Sequence, residues 1–274
     1  MTINCHGNLI DLNTPRVMGI LNQTPDSFFD GGRYNGTAAM LNQVEQMLKD
    51  GASFIDVGGY SSRPGAADVS QQEELGRVIP TIEAITKTFP EALVSIDTFR
   101  SGVAQAAIEA GACMINDISG GDRDQEIYKS AAQNQVPYII MHMRGTPKTM
   151  TELTNYENVV MEVAQDLSKK IKKVRTLGVN DLIIDPGFGF AKTLAQNYAL
   201  LNKLDHLKLL EVPILVGLSR KSMIYKLLET DPENALNGTT VANTIALLKG
   251  ASIIRVHDVA PAMQAMRIVG ALKN

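Results

Sequence analysis

Short runs of branched apolar residues alternate along the chain with segments whose apolar positions recur every three or four residues. Runs of two to six such residues are too short for helices, and when bounded by Gly, Pro, Asn or Asp they read as fully buried strands. The chain offers eight: Arg16 to Leu21, Phe54 to Val57, Leu93 to Ile96, Met114-Ile115, Tyr138 to Met141, Leu182 to Ile184, Ile214 to Leu218 and Ile253-Ile254. The segments between them carry helical spacing, as in Met40, Val44, Met47 and Leu48, or Val160, Val163, Leu167, Ile171 and Val174. Ser70-Gln71-Gln72-Glu73 has the spacing of a capping box and predicts a helix start. Asp231-Pro232 separates two helical segments in the long stretch before Ile253.

Eight strand-then-helix units predict a single (β/α)8 barrel over residues 16–270; an open doubly wound sheet is the alternative, and regular units with polar strand ends favour closure. Ahead of it, Thr2 to Cys5 and Leu9 to Leu12 flank His6-Gly7-Asn8 and predict a short β-hairpin, within residues 1–13, that closes one end. No Pro/Gly/Ser-rich linker interrupts the pattern, so residues 1–274 are expected to form one domain.

Composition narrows the function classes. With 45% hydrophobic and 20% charged residues the chain is an ordinary globular sequence with ample core. A net charge of −3 supplies no general positive field for nucleic acid or an anionic membrane, so any anion must be held by a few placed groups. Cys5 and Cys113 have no metal-type spacing and read as free, packed thiols of a reducing compartment. No signal-like N-terminus and no run of some 18 apolar residues occurs, so a cytoplasmic location is expected.

In a barrel of this kind chemistry sits where the strands end. Those ends supply Asn22, Asp97, Asn116, Asp185, Lys221, Arg255 and His257. Singly, each reads as a turn or capping residue; together they outnumber the caps a structural barrel needs. Two carboxylates, an amide and an ammonium suit a flat heterocycle with mixed donors and acceptors, such as the 2-amino-4-oxo edge of a pterin or guanine. Arg63, Arg255, His257 and Asn22 predict a second, anionic pocket for a diphosphate, with the Asn22 amide oxygen able to join a Mg²⁺ shell. His142 reads as packing or support, and His6 and His206 as incidental. Gly187 to Thr193 ends like a phosphate loop with the wrong spacing, and no nicotinamide fingerprint, nucleophile elbow or zinc cluster occurs.

Read together, Gly19-Ile20-Leu21-Asn22-Gln23-Thr24-Pro25-Asp26-Ser27-Phe28 with Asp30-Gly31-Gly32, and Gly58-Gly59-Tyr60-Ser61-Ser62-Arg63-Pro64-Gly65, resemble the two opening signatures of the dihydropteroate synthases. Ser95-Ile96-Asp97-Thr98, Ile115-Asn116-Asp117, Asp185-Pro186-Gly187-Phe188-Gly189-Phe190, Ser219-Arg220-Lys221-Ser222 and Arg255-Val256-His257-Asp258 complete the set in family order. Tyr60 stands where many members carry Glu, and Ser62 where many carry Thr. The resemblance implies a transferase that joins 6-hydroxymethyl-7,8-dihydropterin diphosphate to p-aminobenzoate in folate biosynthesis, releasing pyrophosphate. It assigns the pterin to Asp97, Asn116, Asp185 and Lys221, and the diphosphate to Asn22 with Mg²⁺, Arg63, Arg255 and His257. Aminobenzoate falls to Ser62, Pro64, Phe190, Lys221 and Ser222, with the start of the helix that Ser222 opens holding the carboxylate. It also implies a homodimer, to which the apolar stripes Val241, Ile245, Leu248 and Met263, Met266, Val269 would contribute, and a sulfonamide target, since sulfonamides mimic aminobenzoate in the family. The expected partners are small molecules, with neither nucleic acid nor membrane. Two rivals remain at this point: the pterin-binding domain of a folate-dependent methyltransferase, and a pterin-binding scaffold without turnover.

Overall fold

The computed structural model describes residues 1–23, 32–60 and 69–272. Its first element is a two-stranded antiparallel hairpin, β1 (Thr2–Cys5) and β2 (Asn8–Asp11). His6 and Gly7 both take positive φ, 50° and 85°, so the turn is the two-residue kind whose twist matches the strands. It is one residue shorter than the sequence spacing predicts.

Eight parallel strands follow: β3 (Arg16–Asn22), β4 (Phe54–Gly58), β5 (Val94–Asp97), β6 (Met114–Asp117), β7 (Tyr138–Met141), β8 (Leu182–Asp185), β9 (Leu215–Val216) and β10 (Ile253–Val256). They pair in the order β8-β7-β6-β5-β4-β3-β10-β9, and a parallel bridge from Ile184 to Ile214 brings the two edges together. The sheet is thus a nearly closed barrel. The weakest stave is β9, two residues where five were expected; the chain turns just beyond it at Ser219-Arg220, where the Lys221 N–H donates to the Leu218 carbonyl at 3.2 Å. Around the barrel lie α1 (Gly32–Lys49), α2 (Gln71–Thr88), α3 (Ser101–Glu109), α4 (Glu126–Asn134), α5 (Val159–Thr176), α6 (Leu194–Asn202), α7 (Ser222–Tyr225), α8 (Leu236–Leu248) and α9 (Val259–Ala271). The capping box opens α2 as the spacing predicts: Ser70 Oγ accepts the Glu73 N–H while the Glu73 carboxylate accepts the Ser70 N–H.

Period-two alternation sorts every strand into two faces. Val17, Leu21, Ile55, Val57, Ile96, Ile115, Ile140, Ile184 and Ile254 face outward into one continuous cluster with the helices. Phe54, Met114, Ile139, Ile183, Leu215 and Ile253 face inward and, with Met18, fill the lower barrel. The hairpin adds Ile3, Cys5 and Leu12 to that lower layer, so it plugs the end of the barrel as expected. The Asn4 N–H donates to Asp181 Oδ2 at 2.8 Å, fastening the plug just below β8.

Cys5 and Cys113, 108 positions apart, are brought together here. Both are buried free thiols of this layer, and the hydrogen bond between them raises the Cys5 pKa, with burial adding to the effect.

Candidate active site

Two residues up four of the strands from the apolar floor, the same inward face becomes polar. In β4 Phe54 gives way to Asp56, in β6 Met114 to Asn116, in β8 Ile183 to Asp185, and in β10 Ile253 to Arg255; Ser95 and then Asp97 supply β5. A strand that changes from Phe or Ile to Asp at spacing two has placed a charge over the barrel floor.

Arg255 ties this layer together. Its Nε donates to Asp56 Oδ2 at 2.6 Å and its Nη2 to Asp97 Oδ2 at 2.7 Å, while Asn116 Nδ2 donates to Asp56 Oδ2 at 2.9 Å. Asp56 is fully buried, and its Oδ1 has no hydrogen-bond partner among the described residues. Burial pushes Asp97 up to about 7, against the pull of Arg255 and with added repulsion from Asp56 and Glu74. Burial works against the Arg255 charge too, yet Asp56 and Asp97 outweigh it and raise its pKa.

The turn after β8 forms the next wall. Asp185 Oδ1 accepts the Gly187 N–H at 2.7 Å; burial raises the Asp185 pKa, with Lys221 opposing. Lys221 Nζ donates to the Phe188 carbonyl and lies 4.8 Å from the centre of the Phe190 ring. Burial brings Lys221 down to about 8, with Asp185 opposing. A Cβ on Gly187 would stand 2.0 Å from the His142 carbonyl oxygen at a φ of +69°, so only glycine lets the turn pass. Beneath it Lys192, buried, puts Nζ 3.0 Å from His142 Nδ1, 3.0 Å from the Gly187 carbonyl and 3.1 Å from the Phe190 carbonyl. Burial lowers Lys192 to about 7, against Asp185, and His142 to about 2, with Lys192 adding to its loss of basicity. An apolar shelf of Phe99, Ile118, Met141, Met143, Met150 and Ala191, flanked by Tyr60 and Phe190, completes this wall.

On the β9–β10 side, Ser219 Oγ lies 2.9 Å from His257 Nδ1 and accepts the His257 N–H at 3.2 Å. Arg220, at a φ of +54°, grips Asp258 with two bonds of 2.9 Å and donates to the Pro232 and Glu233 carbonyls. That clamp fixes the residues next to Lys221 and His257. Ser222 begins α7, a helix of one turn, so the macrodipole expected at its start is that of four residues only.

The structure therefore gathers Asp97, Asn116, Asp185, Lys221, Phe190 and Arg255 on one rim. Arg255 stands between two of the acids rather than apart from them, so the acidic and basic sets interlock. Asn22 ends β3 half-buried, and His257 is exposed at the end of β10. Ser62, Arg63 and Pro64 lie outside the described residues. Tyr60 meets Phe99 edge-on at 5.1 Å and lies under Arg100.

Three residues were missed by sequence reasoning. Asp56 had a signal, a lone charge between Ile55 and Val57 in an otherwise apolar strand. Lys192 was set aside with the failed phosphate loop. Glu74, fully buried, accepts from Thr98 Oγ1 at 2.7 Å and pairs with Arg100, and nothing in the helix pattern marks it. Asp117, next to Asn116, points the other way: it accepts from Tyr138 OH at 2.6 Å and from Ser119 and Gly121, and so builds a turn.

Comparison with known proteins agrees with this geometry. The family of pterin binding enzymes matches residues 18–257. The dihydropteroate synthase of Escherichia coli K12 is 44% identical over 273 residues, covering 99% of this chain and 96% of that protein. A crystal structure of Yersinia pestis dihydropteroate synthase with a sulfonamide drug superimposes with a TM-score of 0.93 at 43% identity, covering 100% and 99% of the two chains. The Xanthomonas albilineans dihydropteroate synthase in complex with 7,8-dihydropteroate gives 0.89 at 38% identity, covering 100% and 99%.

Proposed function

The chain belongs to the pterin-binding enzymes and, among them, to the dihydropteroate synthases, and from that premise we propose how its residues divide the condensation of pterin diphosphate with p-aminobenzoate. The observation that carries the reading is the polar layer around Arg255, with Asp185 and Lys221 beside it.

In this reading the pterin lies flat over the apolar shelf. Asp185 accepts from its amino group and adjacent ring N–H; the Gly187 N–H uses one lone pair of Oδ1 and leaves capacity on both oxygens. Asn116 and Lys221 meet the remaining donors and acceptors, and Asp97 closes the edge. Asn22, Arg63, Arg255 and His257 take the diphosphate, and Ser62, Pro64, Phe190, Lys221 and Ser222 the aminobenzoate. If Asp56, Asp97 and Asp185 are all ionised against Arg255 and Lys221, one negative charge remains in excess, which favours a methylene carbon that becomes cationic as its C–O bond breaks. The bond pair leaves with pyrophosphate, and the neutral arylamine attacks the carbon. The amine's proton then passes to water or pyrophosphate, so no covalent nucleophile and no strong base is needed.

Among the described residues no group of three or more His, Cys, Asp or Glu could hold a metal ion. A protein-built cage is therefore not what the donor set fits. One amide oxygen, Asn22, suits a Mg²⁺ that arrives on the diphosphate with most of its waters, and such an ion would neutralise the leaving group's charge.

We also propose a homodimer through α8 and α9, where Val241, Ile245, Leu248, Ile268 and Leu272 are exposed by 37 to 70%, whereas Val269, expected in the stripe, is core. Light scattering tests it. Among the described residues no helix is long and apolar enough to cross a membrane; we place the enzyme in the cytoplasm, and fractionation of cells tests that. Competition of sulfonamides with aminobenzoate is expected on the same reading. The decisive assay is purified protein with pterin diphosphate, aminobenzoate and Mg²⁺: formation of dihydropteroate and pyrophosphate supports it, and pterin binding without turnover refutes it.

A further inference from the structure

Burying an ammonium is costly unless acceptors surround it. Lys192 is 8% exposed, and two of its three acceptors are carbonyls of the turn that leads into it, Gly187 and Phe190. The third is Nδ1 of His142, just past β7, which as an acceptor carries its ring proton on Nε2. Three residues of the turn take positive φ: Gly187, Gly189 and Ala191. Carbonyls of this turn point to opposite sides. Gly187 and Phe190 face Lys192, while Phe188 faces Lys221. The turn is held between two lysines, one against the barrel wall and one in the site.

We propose that Lys192 is a positioning residue for the aminobenzoate side of the site, setting the place of the Phe190 ring beneath Lys221 through the turn wound on its ammonium. This rests on the assignment of Phe190 and Lys221 to aminobenzoate. A purely structural lysine would hold the turn together and leave substrate affinities alone. A positioning one ties the Phe190 backbone to the His142 imidazole, so its loss lets the ring drift from beneath Lys221 while the inward Asp185 stays in β8.

The test is the series Lys192→Arg, Lys192→Gln and Lys192→Met, with KM for each substrate, kcat and the unfolding midpoint measured together. For Lys192→Met the aminobenzoate KM should rise about tenfold and for Lys192→Gln about threefold, the span of a displaced aromatic contact. The pterin diphosphate KM should move less than about twofold, and Lys192→Arg, which keeps charge and donors, should recover most of the aminobenzoate affinity. Should Lys192→Met fail to fold, Lys192→Gln carries the comparison. Unchanged KM for aminobenzoate in folded variants with a lowered unfolding midpoint, or equal losses for both substrates, overturns the proposal while wild-type turnover stands. Absence of turnover by the wild type overturns the functional reading itself, and this role with it.

Discussion

Replacing Asp97 by Asn should change not only ligand binding but the slope of stability against pH. The Asp97 carboxyl is 17% exposed, and in the folded protein its pKa lies at about 7 against an ordinary 3.8. Below pH 4 it is protonated in both folded and unfolded chains and costs the fold nothing. Between about 4 and 7 the unfolded chain gives up the proton and the folded one retains it, so the unfolding free energy falls as pH rises, by at most about 1.4 kcal/mol per pH unit. Above 7 the group is ionised in both states and the cost is complete. A rise of about three pH units corresponds to roughly 4 kcal/mol, an upper figure because Asp97 is coupled to its charged neighbours. Asn imitates the protonated acid. Asp97→Asn should therefore match the wild type near pH 4 and exceed it near pH 8. Urea unfolding of both proteins at intervals across pH 4 to 8 measures the difference directly. A constant offset would refute the reasoning, since it would mean that the carboxyl ionises as readily folded as unfolded.

Other consequences are simpler. Asp185→Asn should weaken pterin binding by roughly 1.5 to 3 kcal/mol with the fold intact, by calorimetry, and unchanged affinity would count against that contact. Arg255→Ala leaves Asp56 and Asp97 facing each other in the barrel and should cost about 3 to 5 kcal/mol of stability in urea unfolding; a loss below about 1 would show that the two ion pairs add little to the fold. Gly187→Ala forces a Cβ onto the His142 carbonyl, and is expected to give a folded barrel with at least about a 100-fold loss in kcat/KM, as a misplaced reacting group does. Cys5 and Cys113, both buried, should resist a thiol reagent until the chain unfolds; fast labelling of either in native protein would mean that the hairpin plug opens.

Much of this architecture was legible because buried parallel strands write themselves as branched apolar runs, and eight of them at regular intervals leave few ways to close. Strand ends located Asp97, Asn116, Asp185, Lys221 and Arg255. What the pattern could not carry was pairing across the barrel: Asp56 meets Arg255 from 199 positions away. The same holds for Lys192, whose neighbours look like a broken phosphate loop until the turn is seen to reverse three times. Cys5 and Cys113 read as unrelated for the same reason. Periodicity reports which face a residue takes and is silent on what faces it.

The Arg220 clamp has a consequence for tolerance to change. Lys221 and His257 sit on separate strands' ends, yet each adjoins one jaw of a single guanidinium–carboxylate pair, so their spacing is set by a brace and not by the barrel wall, where β9 contributes only two residues. The brace also reaches the carbonyls of Pro232 and Glu233 in an exposed loop. Insertions or swaps in that loop would travel along Arg220 and move Lys221 and His257 together, which makes this outlying stretch a lever on their spacing rather than a spacer.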